Sequence, residues 1–231
     1  MVTKRKVYKP GVLTDSMNQQ RALYLLEQAF DDGETVLAHG TSASAAIQLL
    51  ETGKLPPARG DTAVPDHPIN NGYLFFIPKK QSFVDHPLYC KIKIDLDTNE
   101  LETEAASYAL QHEVQEFLTN EVGLSDSEQI SEIISLAMET LCFVDINEIP
   151  KVQEYGVERF YHDLRKRRGV VIGVNRKILE LNLEDGSDVP GEEVMCYLPN
   201  GLDIQYVNHI FPCGELEENR LYQNVGSLSG A

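Results

Sequence analysis

The sequence lacks an apolar run of the roughly 20 residues that a membrane-spanning helix needs. Its mean hydropathy is −0.27. The basic N-terminal segment, MVTKRKVYKPG, is not followed by the apolar stretch of a secretory signal. We therefore expect a cytoplasmic protein with no membrane partner. The length of 231 residues, of which 42% are apolar, suits a single domain with a genuine core.

Cysteine is scarce, and neither cysteine nor histidine falls in a metal-binding pattern. The four cysteines form no CxxC pair, and the six histidines form no HxH or HExxH motif. We expect reduced thiols and no metal site, since widely spaced cysteines exclude a zinc knuckle or a thioredoxin-type centre. The cysteines are Cys90, Cys142, Cys196 and Cys213.

Positive charge is also scarce. The chain has 36 acidic and 20 basic residues, a net charge of −16. Such a surface repels phosphate backbones at long range, which disfavours general nucleic-acid binding. Two basic segments remain, at residues 4–6 and 165–168. We expect the second to be a solvated helix end, which meets a pyrophosphate only if the fold brings it to a cleft.

The pattern of apolar residues predicts an α+β fold with short strands dispersed among helices. There is no GxGxxG or GxxxxGK[ST] motif, which disfavours Rossmann and P-loop folds. We expect an N-terminal arm at residues 1–16, one domain at 17–222 and a flexible tail at 223–231. Helices are predicted at residues 18–30, 44–51, 103–122, 127–142 and 157–167. Strands are predicted at residues 35–39, 73–77, 88–96, 169–174, 194–198 and 204–211.

Three short motifs carry candidate chemistry. His39, Gly40 and Thr41 stand where an apolar strand gives way to a helix. Tyr73 follows Gly72 at the opening of the next apolar strand. A pair of glutamates precedes the strand at residues 194–198. A titratable ring beside a glycine at a strand end indicates a binding site, because glycine allows a ligand to approach the backbone closely.

The glutamate pair consists of Glu192 and Glu193. Strand alternation groups Glu192 with Val194 and Glu193 with Met195. Because both faces of the strand are apolar, periodicity does not choose between the two carboxylates.

In their order along the chain, these motifs resemble the His-Tyr-Glu branch of the ADP-ribosyltransferase fold, which includes the poly(ADP-ribose) polymerases and diphtheria-type toxins. The resemblance covers residues 35–212. It implies a split antiparallel sheet flanked by helices, with NAD as substrate. An enzyme of this kind cleaves the nicotinamide–ribose bond and transfers ADP-ribose to a macromolecular acceptor, here a protein rather than a nucleic acid. The alignment with the family favours Glu193 over Glu192.

The resemblance implies a role for each candidate residue. Glu193 stabilises the positive charge that develops on the ribose when the bond to nicotinamide breaks. A neutral His39 holds a ribose hydroxyl, and the backbone of Gly40 clamps the carboxamide. Thr41 or Ser42 supplies a hydroxyl nearby.

Two tyrosines would sandwich the nicotinamide ring. Tyr73 offers one face, and Tyr108, on the helix predicted at residues 103–122, offers the other. Amphipathic packing also accounts for Tyr108. The 34 residues between the two tyrosines exceed the family's spacing. Arginine-modifying relatives carry Glu or Gln two residues before the catalytic glutamate, where this chain has Gly191, or Pro190 if Glu192 is the catalyst. Arginine is therefore not the expected acceptor.

Other functions remain open from the sequence. An acidic binding or immunity-type module would use the negative charge to neutralise a basic partner. An RNA 2′-phosphotransferase-like member of the same fold would need more basic residues at its cleft than this composition suggests. Hydrolysis of NAD is a third outcome of the same site.

Overall fold

The computed structural model describes residues 11–16, 18–57, 72–79, 98–138, 144–186 and 193–226. Its helices are α1 (Gln19–Asp31), α2 (Ala43–Thr52), α3 (Thr98–Phe117), α4 (Ser127–Ala137), α5 (Pro150–Tyr155), α6 (Val157–Leu164) and α7 (Glu215–Gly226). Its strands are β1 (Leu37–Thr41), β2 (Lys54–Leu55), β3 (Tyr73–Pro78), β4 (Val170–Val174), β5 (Leu183–Asp185), β6 (Val194–Tyr197), β7 (Leu202–Asp203) and β8 (Val207–Pro212). The α+β class is confirmed.

Side chains that cap helix ends set several of these boundaries. The Asn18 side chain accepts the backbone N–H of Arg21 at 3.0 Å and so begins α1. Asp126 accepts two N–H groups at the start of α4. α2 ends at Gly53, whose φ of 78° is readily adopted by glycine. These local signals explain why the helix predictions at residues 18–30 and 44–51 are confirmed.

Six strands form one open sheet in the order β5-β6-β3-β1-β4-β8, and β2 pairs with β7 separately. All paired strands are antiparallel. β1 lies near the centre of the sheet, between β3 and β4. Helices cover both faces, so the central strands are buried on both sides and carry the near-continuous apolar runs of the sequence.

Two apolar layers enclose the sheet. One face packs against α1 and α3, in a cluster that includes Leu26, Ala38, Ala105, Val171 and Phe211. The opposite face packs against α2, in a larger cluster that includes Leu37, Leu49, Phe76, Ile172 and Ile210. A third cluster joins the end of α3 to α4, α5 and α6 beside the sheet. The central strands are thereby held rigidly from both sides.

Three sequence-based boundaries need correction. The first strand was expected to break at His39, but β1 continues through His39 and Gly40 to Thr41 because β4 pairs with every one of its residues. Residues 204–206 form a 3₁₀ turn instead of a strand, since Asp203 accepts the N–H of Gln205 at 3.0 Å. α4 ends at Ala137, earlier than expected. The strand predicted at residues 88–96 lies outside the described residues.

Both ends of the described chain pack on the domain. Leu13 forms a parallel bridge with Ile210 of β8, and Val12 is buried. Residues 1–16 were expected to form an arm, and the described part of that segment lies along the sheet edge. α7 runs to Gly226, into the segment expected to be a flexible tail. None of the helices in the described ranges is long and apolar enough to cross a membrane.

Candidate functional site

The sheet divides between β1 and β3. β1 pairs with β4 at five positions but with β3 at only two described positions, Leu37–Pro78 and Ala38–Ile77. The rest of β3 pairs with β6 instead. His39, Gly40 and Thr41 therefore lie where the pairing of β1 with β3 has ended, a place that we call the split.

His39 reaches across the split. Its Nδ1 lies 2.7 Å from the carbonyl oxygen of Phe75 on β3, and its ring packs 5.5 Å from the ring of Phe76. A carbonyl oxygen only accepts hydrogen bonds, so Nδ1 carries the proton and Nε2 is the acceptor of the neutral ring. The side chain is buried, 7% exposed.

The environment of His39 keeps the imidazole neutral. Burial lowers its pKa to about 4, against the opposing effect of the hydrogen bond to Phe75 and with a further lowering by the nearby His112. Burial lowers the pKa of His112 as well. At pH 7 the site thus presents a neutral ring whose Nε2 can accept a hydrogen bond from a hydroxyl group.

The backbone of Gly40 faces β3. Phe75 O points from β3 toward β1, where it accepts the Nδ1–H of His39 at 2.7 Å, and the register that pairs Ala38 with Ile77 sets Gly40 opposite Phe75. In an antiparallel ladder the backbone groups of every second residue point to the same neighbouring strand. Gly40 therefore directs its N–H and C=O toward β3, beyond the pair Ala38–Ile77.

Packing also requires glycine at position 40, for a reason that sequence reasoning missed. A Cβ on Gly40 would lie 2.5 Å from both Ala105 O and Ala109 N of α3. The same Cβ would lie 2.8 Å from the Cβ of Tyr108. The helix thus lies directly on β1, and the fold places Tyr108, predicted from sequence as a site residue, against Gly40.

Thr41 and Ser42 end the strand and begin α2. Thr41 is buried and pairs with Val170. The Ser42 Oγ accepts the N–H of Ala45 at 3.2 Å, so this hydroxyl caps α2. Both hydroxyls lie at the same end of β1 as Gly40.

Tyr73 begins β3 on the other side of the split. It pairs with Tyr197 of β6, and the two rings are 5.3 Å apart and tilted by 52°. Tyr73 alternates with Ile77 to the face that α3 covers. Tyr73 and Tyr108 therefore lie on the same side of the sheet.

Glu193 lies two strands from β1. In the β3–β6 ladder Val194 pairs with Phe76. Glu193 precedes Val194, so the same register places it opposite Ile77, which itself pairs with Ala38. Two strand spacings, about 10 Å, separate the Glu193 backbone from β1. Glu193 is partly buried and on the α3 face.

Glu192, the alternative carboxylate, lies outside the described residues. The structure brings Gly40 and Tyr108 into contact on the α3 face of the sheet. Alternation along β1 directs the His39 and Thr41 side chains to the opposite face, where His39 packs on Phe76. Tyr73 and Glu193 lie on the α3 face of the neighbouring strands.

Glu113, a buried carboxylate that was not predicted from the sequence, holds the segment that follows β1. Glu113 of α3 accepts the N–H of Ala43 at 2.7 Å, where α2 begins. It also accepts hydrogen bonds from Arg167 at 3.2 Å and Arg220 at 2.7 Å. Its side chain is 1% exposed. Glu113 therefore fixes α3 to the residues that follow β1.

A sequence signal for Glu113 did exist. It stands seven residues after Ala106 and four before Phe117, on the apolar stripe of the helix. The basic segment 165–168 was expected to be a solvated helix end. That expectation is wrong for Arg167, which is buried, pairs with Glu113 and lies 4.5 Å over the Phe117 ring.

Among the described residues, no three His, Cys, Asp or Glu side chains are placed to hold a metal ion. Cys196 and Cys213 are free, buried thiols. Burial raises their pKa values to about 11 and about 12. Neither thiol is therefore a reactive nucleophile in the folded chain.

Comparison with known proteins adds no further indication of function. No family model, no curated protein and no solved structure matches the chain.

Proposed function

We propose that the chain is an NAD-dependent ADP-ribosyltransferase that acts at the split between β1 and β3. The observation that carries the proposal is the neutral His39, held across the split by its hydrogen bond to Phe75 O. Its Nε2 is oriented as an acceptor for a ribose hydroxyl. The backbone of Gly40 faces the same opening and suits a carboxamide, which needs one donor and one acceptor.

In the proposed reaction, residues on the two sides of the split have different roles. On the β1 side, Gly40 and His39 orient the nicotinamide and its ribose. The bond between ribose C1′ and the nicotinamide nitrogen breaks, and its electron pair leaves with neutral nicotinamide. Positive charge then develops on the ribose, where a carboxylate stabilises it. We assign this carboxylate to Glu193, and the acceptor nucleophile, once deprotonated, bonds to C1′.

Two aromatic side chains suit the nicotinamide ring. Tyr108 lies against Gly40, and Tyr73 opens β3 on the same face of the sheet. A flat cationic ring stacks favourably on such faces. The net charge of −16 favours a protein acceptor over a nucleic acid.

The test is release of nicotinamide from NAD by the purified protein. Wild type is compared with His39→Ala, Glu193→Gln and Glu192→Gln, and Glu180→Gln serves as an exposed, charge-matched control. We expect release to fall at least 100-fold in the first two variants and to stay unchanged in the control. If only Glu192→Gln abolishes nicotinamide release, Glu192 and not Glu193 is the catalytic carboxylate.

A second measurement separates an enzyme from an acidic binding module. A ligand that binds the folded state raises the melting temperature, so NAD should stabilise the wild-type chain. If the wild-type chain shows no nicotinamide release and no thermal shift with NAD, the proposal is contradicted and the binding module is favoured. Release without transfer to any added protein would assign the site to NAD hydrolysis.

A further inference from the structure

A cavity lies at the opposite side of β1 from the split. It has a volume of about 560 Å³ and opens where β4 begins and β8 ends. β4 and β8 follow β1 in the sheet, so the cavity and the split are separated by strands that are paired throughout. The first turns of α1 and α7 form part of its wall.

The cavity is basic in an acidic protein. Arg165, Lys166 and Arg168 line it, and Glu215 is the single acidic residue in the lining. The other lining residues are neutral. Arg167 is buried and pairs with Glu113, whereas the other three cations of the segment 165–168 line the cavity. Because the whole chain has a net charge of −16, this concentration of positive charge is a local feature.

The cationic segment is fixed in place. The Oε1 of Glu217 accepts the backbone N–H groups of Arg168 at 2.8 Å and Gly169 at 3.2 Å. Arg168 also donates to the carbonyl of Arg167 at 2.6 Å. The backbone that presents the charges is therefore ordered before any ligand arrives, which lowers the entropic cost of binding.

An unpartnered polar atom lies behind Gly214, a residue that lines the cavity. The Oε2 of Glu217 is buried and has no hydrogen-bond partner among the described residues. It lies 2.5 Å from where a Cβ on Gly214, a residue of the cavity wall, would stand. Burial raises the pKa of Glu217, so this carboxyl keeps its proton to higher pH than an exposed one.

We propose that this cavity binds a small molecule that carries a diphosphate group, with Arg165, Lys166 and Arg168 as its charged contacts. Guanidinium and ammonium groups are the usual partners of phosphate oxygens. The first turn of α1, which carries no acidic side chain, adds to the positive potential. The volume lies within the range of small-molecule sites. A nucleoside diphosphate and inorganic pyrophosphate share this chemistry. The inference does not depend on the proposed transferase activity.

The test is calorimetric titration with ADP and, separately, with pyrophosphate at constant ionic strength. We compare wild type with an Arg165→Ala/Lys166→Ala double variant and with Lys177→Ala, an exposed lysine outside the cavity. Both altered cavity side chains are exposed, so the fold should persist, and circular dichroism checks it. We expect the double variant to weaken binding at least 10-fold and the control to match wild type.

Tighter binding of ADP than of pyrophosphate would identify a nucleotide site, and equal binding would identify a site for the diphosphate alone. No binding of either probe to wild type, or equal binding to the double variant, would overturn the inference. Nicotinamide release from NAD should be unchanged in the double variant. A failure of this proposal is thereby distinguished from a failure of the transferase proposal.

Discussion

The Nδ1 of His39 lies 2.7 Å from the carbonyl oxygen of Phe75, across the split between β1 and β3. This hydrogen bond joins the two strands beyond the end of their backbone pairing. It also fixes the tautomer of a buried, neutral imidazole. The stability of the fold and the chemistry proposed for the split therefore depend on the same side chain.

We predict that acid destabilises the chain through His39. Its folded pKa of about 4 lies below the unfolded value near 6.5, so the unfolded chain binds the proton more readily. Stability is present above pH 6.5 and is lost as the pH falls toward 4, by about 3 kcal/mol. Urea unfolding of wild type and His39→Asn at several pH values measures this. A loss of equal size in the variant would contradict the assignment.

Gly40→Ala should destabilise the fold by about 3 kcal/mol, because the new methyl group meets the backbone of α3. Gly33→Ala is the control: its φ is +70° and its Cβ would meet nothing within 4 Å, so it should cost about 1 kcal/mol of backbone strain. Thermal unfolding compares the two. Equal melting temperatures would show that α3 does not lie on β1 as described.

Glu113→Gln should cost about 3–5 kcal/mol, because it removes the charge that two buried or half-buried arginines share. Glu121, 44% exposed and paired with Arg167, provides the control. Glu121→Gln should change the free energy of unfolding by less than about 1 kcal/mol. Chemical denaturation of both variants at pH 7 gives the comparison, and a mild effect of Glu113→Gln would contradict a buried network.

The free energy of unfolding of Glu217→Gln should increase relative to that of wild type as the pH rises. Burial raises the pKa of Glu217, with a further rise from Glu113, so the wild-type chain loses stability as the pH rises above the unfolded value of about 4.5. The amide keeps an oxygen to accept the N–H groups of Arg168 and Gly169 but does not ionise. Unfolding free energies at pH 5 and 7 test the sign, and a difference that stays constant would refute it.

Much of the fold was predictable because its signals are local. The spacing of apolar residues and the cap at Asn18 identify α1, and the run before Pro78 identifies β3. The turn at residues 204–206 was missed because Asp203 offers its neighbours a hydrogen bond that competes with a strand. The end of β1 was missed because β4 supplies partners that are distant in sequence.

The candidate site was predicted in part. The motif of His39 and Gly40 was visible in the sequence, and the fold places both residues at the split. Glu113 was not identified, although it stands on an apolar stripe, because its partners Arg167 and Arg220 come from distant segments. The neighbours Lys166 and Arg167 look alike in sequence, and only packing against Phe117 makes one of them interior.

Local sequence signals account for the α+β class, most helices and strands, and the residue types at β1, because periodicity and capping act over a few residues. Tertiary contacts set where the pairing of β1 with β3 ends, which tautomer His39 adopts and which cations line the cavity. These depend on burial and on contacts between distant segments. Burial changes the energy of a charge far more than any neighbour in sequence does.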